Sequence, residues 1–380
     1  MLRPVGRGCA LNLIEVHCMD LSSRQSETKK TPAWGIVFQI AGLALVLLLG
    51  YYFRTTGLMW GEYQYPHPDE RFLVWVVADI APVEDPGDYF NTAASTLNPA
   101  NRNHAFYVYG DLPVILTRYM AEASFKTTGW QEILQTGRSL STAFDLLTVL
   151  LVYLIASRLG GRYANWKVAT LAGLFSAGAV LQIQQAHFFT VDSFSTAFTT
   201  LAVYLGVVIA TEEADAPLSA TLGASLLFGL AVGLAMACKI NTAPVALLLP
   251  VALAARFLQG FTRNRLAAAK AADEDETPGE SAGPEPVAVN SPAIHPTVSL
   301  ILSLAGFALA GGVVAFLAFR IAQPYAFSGP SFFNMSIDKG WMQSMRDLSA
   351  QSAGDVDFPP ALQWADRNHL FSLQNLLVWG

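Results

Sequence analysis

Apolar residues in this chain gather into long unbroken runs instead of alternating with polar ones. Each run is roughly 20 residues long, the length an α-helix needs to cross about 30 Å of hydrocarbon at about 1.5 Å per residue. Runs at 33–53, 139–156, 168–186, 193–210, 218–237, 242–257 and 297–319 predict membrane-crossing helices, and 371–380 begins a further apolar segment that stops well short of a span. The pattern therefore predicts an all-α polytopic membrane protein, truncated within its last span.

The polar intervals set an expected orientation. Lys29 and Lys30 precede the first span and Arg158, Arg162 and Lys167 follow the second, so both stretches are expected in the cytoplasm. Residues 1–32 are then a cytoplasmic tail, and 33–258 a transmembrane bundle that includes an external loop at 54–137. Trp60, Tyr63 and Tyr65 are its interfacial anchors. Within that loop, 105–125 is apolar enough to suggest a crossing but carries Asp111, Pro113, Arg118 and Glu122, and it reads as a helix lying on the membrane surface. Residues 259–296, with Asp273 to Glu276 followed by Pro, Gly and Ala, read as a disordered cytoplasmic linker. The remainder, 297–380, supplies a last full span, a second external loop at 323–370 and the start of the interrupted helix.

Composition agrees: 53% of residues are hydrophobic and 14% charged, against roughly 25% charged in soluble domains. The formal charge of −6 comes largely from the acidic tract of the linker, which argues against a nucleic-acid partner. Cys9, Cys18 and Cys238 form no disulfide pattern.

Candidate chemistry collects where spans meet the external side. His67, Pro68, Asp69, Glu70 and Arg71 follow the first span by about a dozen residues. A carboxylate there can accept a proton from an attacking hydroxyl or hold a metal ion beside a departing phosphate, with the neighbouring cation offsetting charge. The structural alternative is a capped helix start, with Pro68 in the first turn and both acids at the positive end of the dipole. Asp192, preceded by His187, opens the fourth span on the same side, and Lys239 sits in the turn between the fifth and sixth. Either is a functional charge or an interfacial cap and a snorkelling lysine. Arg138 and Asp145 belong to the second span. Asp145 predicts an ion pair with another helix or a place in a substrate path.

Taken in order, HPDERF after the first span, YVYGDLPVILTRY as a surface helix, GRSLSTAFDLLTVLLVYLIASRLGGR, HFFTVDSFSTAF and GLAMACKINTAP resemble the GT-C glycosyltransferases of the protein O-mannosyltransferase and aminoarabinose transferase type. The resemblance implies a GT-C-type helix bundle with surface helices in its first external loop. It implies inverting transfer of a sugar, mannosyltransferase-like, from a polyprenyl-phosphate donor to a protein, lipid or glycan acceptor outside the plasma membrane. Asp69 corresponds to the catalytic acid, with Glu70 beside it, and Asp192 to a second acidic position. Lys239 matches a lysine near the carrier phosphate, and Arg71 lies near an arginine of the aminoarabinose enzymes. His67, Arg138 and His187 complete the expected substrate-binding set. A divalent cation shared by Asp69 and Asp192 is allowed for, without being required. Where those enzymes carry a lysine before the surface-helix proline, this chain has Gly110, Asp111 and Leu112. A transporter or flippase of a lipid-linked or polar substrate, using Asp145 and the outer carboxylates, is the alternative.

Overall fold

The computed structural model describes residues 33–61, 64–213, 216–275, 296–353, 355–357, 362, 367–368 and 370–379. The expected tail at 1–32 and the acidic-to-proline part of the linker at 276–295 lie outside them. Among the described residues the chain is helical, without strands, and six helices are long and apolar enough to cross a membrane. The protein is an all-α polytopic membrane protein.

The crossing helices are α1 (Ala33–Thr55), α4 (Trp130–Leu159), α7 (Val191–Ala210), α8 (Leu218–Cys238), α9 (Leu248–Asp275) and α10 (Pro296–Ala322). The third apolar run differs from expectation. It breaks at Ala179 into α5 (Gly161–Gly178) and α6 (Val180–Ala186), bent by 57°. Ala179 is extended at φ −66°, ψ 114°, so the last carbonyls of α5 lose their helical donors. The fully buried Arg54, in the last turn of α1, fills that gap by donating to the carbonyls of Ala177 (2.9 Å) and Ser176 (3.2 Å), and it pairs with Asp145 of α4. Asp145 therefore has its partner on another helix.

The helices pack as a row in which α10 lies on α8, α8 on α7, α7 on α4, α4 on α5 and α5 on α1, while α9 closes against α7 and α10. Small residues set the α8–α10 crossing. A Cβ on Gly229 would lie 2.0 Å from the Gly311 carbonyl oxygen, and one on Gly233 2.3 Å from that of Ala315. Apolar attraction between helices is weak in lipid, and such backbone contact is a main source of association there. At the ends of the row α1 and α10 keep wide apolar faces open, among them Ile40, Leu48, Leu309 and Val313, as a hydrocarbon surround requires.

One end of the bundle carries the loops. Between α1 and α4 lie α2 (Pro68–Asp79), two 3-10 turns at Pro86–Phe90 and Pro99–Arg102, and α3 (Asp111–Ser124). This loop is folded: Leu73, Val76, Val77, Leu97 and Val114 share one core with Ile133 of α4 and Phe189 and Phe194 beside and within α7. The α3 helix has 14 residues and is not among the crossing helices, in keeping with a surface position. After α10 the chain turns back over this loop and forms α11 (Lys339–Ala353), and a short helix, α12 (Leu370–Trp379), follows. The Arg320 guanidinium fastens the two loops together. It is fully buried and lies 4.8 Å from the rings of both Phe90 and Phe327, and it donates to the Ser331 carbonyl at 2.9 Å.

The linker expected to be unstructured from residue 259 is instead helical through Asp275. Its Leu266–Ala272 stretch is rich in alanine, the strongest helix former, and no proline intervenes before Pro278.

Candidate functional site

At the loop-bearing end α2 begins with its own cap. The Asp69 backbone N–H donates to His67 Nδ1 at 3.2 Å, Pro68 occupies the first helical position, and Asp69 and Glu70 stand in the first turn. The His67 ring also packs on Phe188, with centroids 4.9 Å apart. The helix-start alternative for this motif is thus realised, and His67 is engaged as the cap.

Adjacent in sequence, Asp69 and Glu70 part company in space. Glu70 is fully buried and accepts from Arg138 Nε (2.8 Å) and Nη2 (2.7 Å), and from the Phe189 N–H at 2.8 Å. Arg138 Nη1 donates to the carbonyls of Leu58 (2.9 Å) and Trp60 (3.0 Å). Glu70, expected to be catalytic, and Arg138, expected to bind substrate, are both buried and fasten α2, α4, the turn after α1 and the α6–α7 link into one unit. His187 is likewise withdrawn: its ring nitrogens lie 2.7 Å from the Ile183 carbonyl and 3.1 Å from that of Thr56. Arg71 is exposed on α2.

Asp69, Asp192 and Lys239 remain partly open. Lys239 Nζ donates to Asp192 Oδ1 at 2.7 Å, with the two side chains 41% and 38% exposed. Tyr109 brings Asp69 into this group. Burial first, and then the neighbouring charges of Asp69 and Asp192, push the Tyr109 hydroxyl above its usual range. One phenol thus senses both carboxylates. The assembly draws on α2, the first turn of α7, the C-cap of α8 and the residues before α3.

The chain around Gly110 puts Tyr109 there. Its N–H donates to the Cys238 carbonyl at 3.0 Å, and its own carbonyl accepts from the Tyr107 hydroxyl at 2.8 Å. A Cβ at Gly110 would sit 1.9 Å from the Ala237 carbonyl oxygen, so only glycine permits this approach. The following residue, Asp111, is buried. Its N–H donates to Gln323 Oε1 at 2.6 Å and its carboxyl accepts from the Tyr325 N–H at 3.3 Å, joining the first loop to the segment after α10. Burial raises its pKa to about 8 against the weaker opposing effect of the Tyr325 hydrogen bond, which favours a neutral acid at pH 7. Beside Tyr109 a narrow crevice is lined by Val108, Met236, Ile240 and Gln323, with Trp341 and Met345 of α11 above it.

Sequence reasoning singled out the two carboxylates and the lysine and passed over Tyr109. The available signal was Gly110–Asp111 two residues before Pro113, an immobilised helix start directly after a tyrosine.

Among the described residues no three His, Cys, Asp or Glu side chains converge, and one Asp192 oxygen is already held by the Lys239 ammonium. The positive charge supplied by these residues is that of the lysine.

Compared with family models, with curated proteins and with solved structures, the chain finds no match in any of the three.

Proposed function

We propose that this protein is a membrane glycosyltransferase that moves a sugar from a polyprenyl-phosphate donor to a protein, lipid or glycan acceptor on the extracytoplasmic side of the plasma membrane. The observation that carries this reading is the Lys239–Asp192 pair at one end of the bundle, where the Gly110–Cys238 hydrogen bond sets Tyr109 alongside and Tyr109 packs on Phe72 of the helix that carries Asp69. Flanking charge supports the orientation: in the sequence Lys29 and Lys30 precede the first span and Arg158, Arg162 and Lys167 follow the second, a pattern that favours the cytoplasm for the end away from Asp69.

Asp69 takes the proton of the acceptor hydroxyl as its oxygen attacks the anomeric carbon. The carbon–phosphate oxygen bond breaks with its electron pair on the leaving polyprenyl phosphate, and configuration inverts. Tyr109 stands beside Asp69, and the Lys239 ammonium offsets the charge that grows on the phosphate. Buried Glu70 and Arg138 keep Asp69 and the α6–α7 link in register without touching substrate. Transport draws less support, because Asp145, the intramembrane acid it would use, is enclosed with Arg54.

Purified protein in detergent, given radiolabelled polyprenyl-phosphate sugar, is expected to consume the donor in wild type and not in Asp69→Asn at matched folding. Equal donor consumption by the two proteins would sink the proposal, and so would failure of wild type to bind or turn over any such donor.

A further inference from the structure

Among the described residues, three ion pairs at the spans differ in how far they are closed. Arg54–Asp145 and Arg138–Glu70 are nearly sealed from solvent, and their guanidinium groups bond backbone carbonyls as well. Lys239–Asp192 is open on both sides, at 41% and 38% exposure, and rests on one contact between the two side chains. Exposed pairs of this kind bind their partners weakly. Yet this one stands where two spans end, next to Cys238, whose carbonyl accepts from the Gly110 N–H and so sets Tyr109 alongside, with Tyr109 packed on Phe72 of the helix that carries Asp69.

We infer that Lys239–Asp192 is an exchangeable pair: an incoming lipid-linked phosphate takes the ammonium from Asp192, and the carboxylate so released completes the catalytic group. The inference rests on the transferase reading and adds a sequence of events to it. In the empty protein the Asp192 charge is balanced by Lys239. Once a phosphate oxygen occupies the ammonium, Asp192 faces Tyr109 and Asp69 uncompensated. Like charges brought together favour uptake of a proton, so acceptor deprotonation is promoted only when donor is bound. The same exchange gives Asp192 opposing effects, since it competes with donor for Lys239 and then assists the reaction.

A merely structural salt bridge would lose binding and turnover together, whereas the exchange predicts that they separate. Binding of undecaprenyl monophosphate to full-length protein in detergent micelles is measured for wild type, Asp192→Asn, Lys239→Met and Lys239→Arg, and turnover is measured with the sugar-loaded donor. Asp192→Asn is expected to bind the phosphate up to about fivefold more tightly, the advantage of removing one exposed competitor, while its kcat falls. Lys239→Met should bind more weakly and Lys239→Arg should recover binding. If Asp192→Asn keeps its melting temperature and binds no better than wild type, the exchange is overturned while the transferase reading stands. If wild type binds no polyprenyl phosphate, both fall.

Discussion

Two acid–base pairs at the loop-bearing end of the bundle behave as opposites. Glu70–Arg138 is dry, doubly hydrogen-bonded and braced by the Phe189 N–H and two carbonyls. Asp192–Lys239 is half open and singly bonded, and Asp69, one residue from Glu70, shares its surroundings. The difference teaches that a carboxylate at the mouth of a membrane bundle is defined by the completeness of its contacts. A fully satisfied buried charge is structure, and removing its partner leaves an uncompensated ion in a low-dielectric site. A half-satisfied, half-solvated charge has capacity left for a ligand.

The sharpest way to break the comparison is to remove one member of the dry pair. Arg138→Met leaves Glu70 buried and alone, and the expected loss is about 3–5 kcal/mol of stability. Thermal unfolding in detergent, or loss of a monodisperse peak at the usual temperature, reads it out. An unfolding midpoint unchanged by this variant would show that the pair does not brace the fold.

The open group should respond the other way. Asp69→Asn is expected to unfold within about 0.5 kcal/mol of wild type, as surface substitutions do, while donor turnover drops by about 100-fold or more, the scale of general-base catalysis. Tyr109→Phe removes the hydroxyl beside Asp69, and turnover is expected to fall with the fold intact; full activity would remove Tyr109 from the site.

Asp111 sharpens the contrast through pH. Its folded-state pKa is raised from 3.8 to about 8, so between those values the folded protein keeps a proton that the unfolded chain has lost. Stability therefore falls as pH rises through that window and levels off above it. Asp111→Asn cannot ionise and should flatten this part of the curve, its advantage over wild type growing up to about pH 8 and holding above it. Identical pH profiles would contradict the assignment. The smallest effect is expected for Lys239→Met on stability, about 0–1 kcal/mol, because its pair is exposed.

Much of the fold was legible because crossing a bilayer imposes a length and a composition that one sequence displays. The apolar runs located α1, α4, α7, α8, α9 and α10 and the folded loop between the first two, and they placed Asp69, Asp192 and Lys239 at span ends. The break at Ala179 left no such mark, since no proline or polar cluster announces it and its exposed carbonyls are answered by Arg54, 122 and 123 residues away. Nor could periodicity separate Asp69 from Glu70. Successive residues on a helix point about 100° apart, but which direction is core depends on what packs there.

By itself, then, the sequence determined that the chain is a helical membrane protein with a structured, charged rim, because hydrophobic length acts locally along the chain. Tertiary structure alone decided which charges are spent and which are available. Arg138 reaches Glu70 across 68 residues, and Gly110 binds Cys238 to bring in Tyr109. Those pairings depend on close approach between distant segments, where burial and the count of satisfied hydrogen bonds fix each group's chemistry.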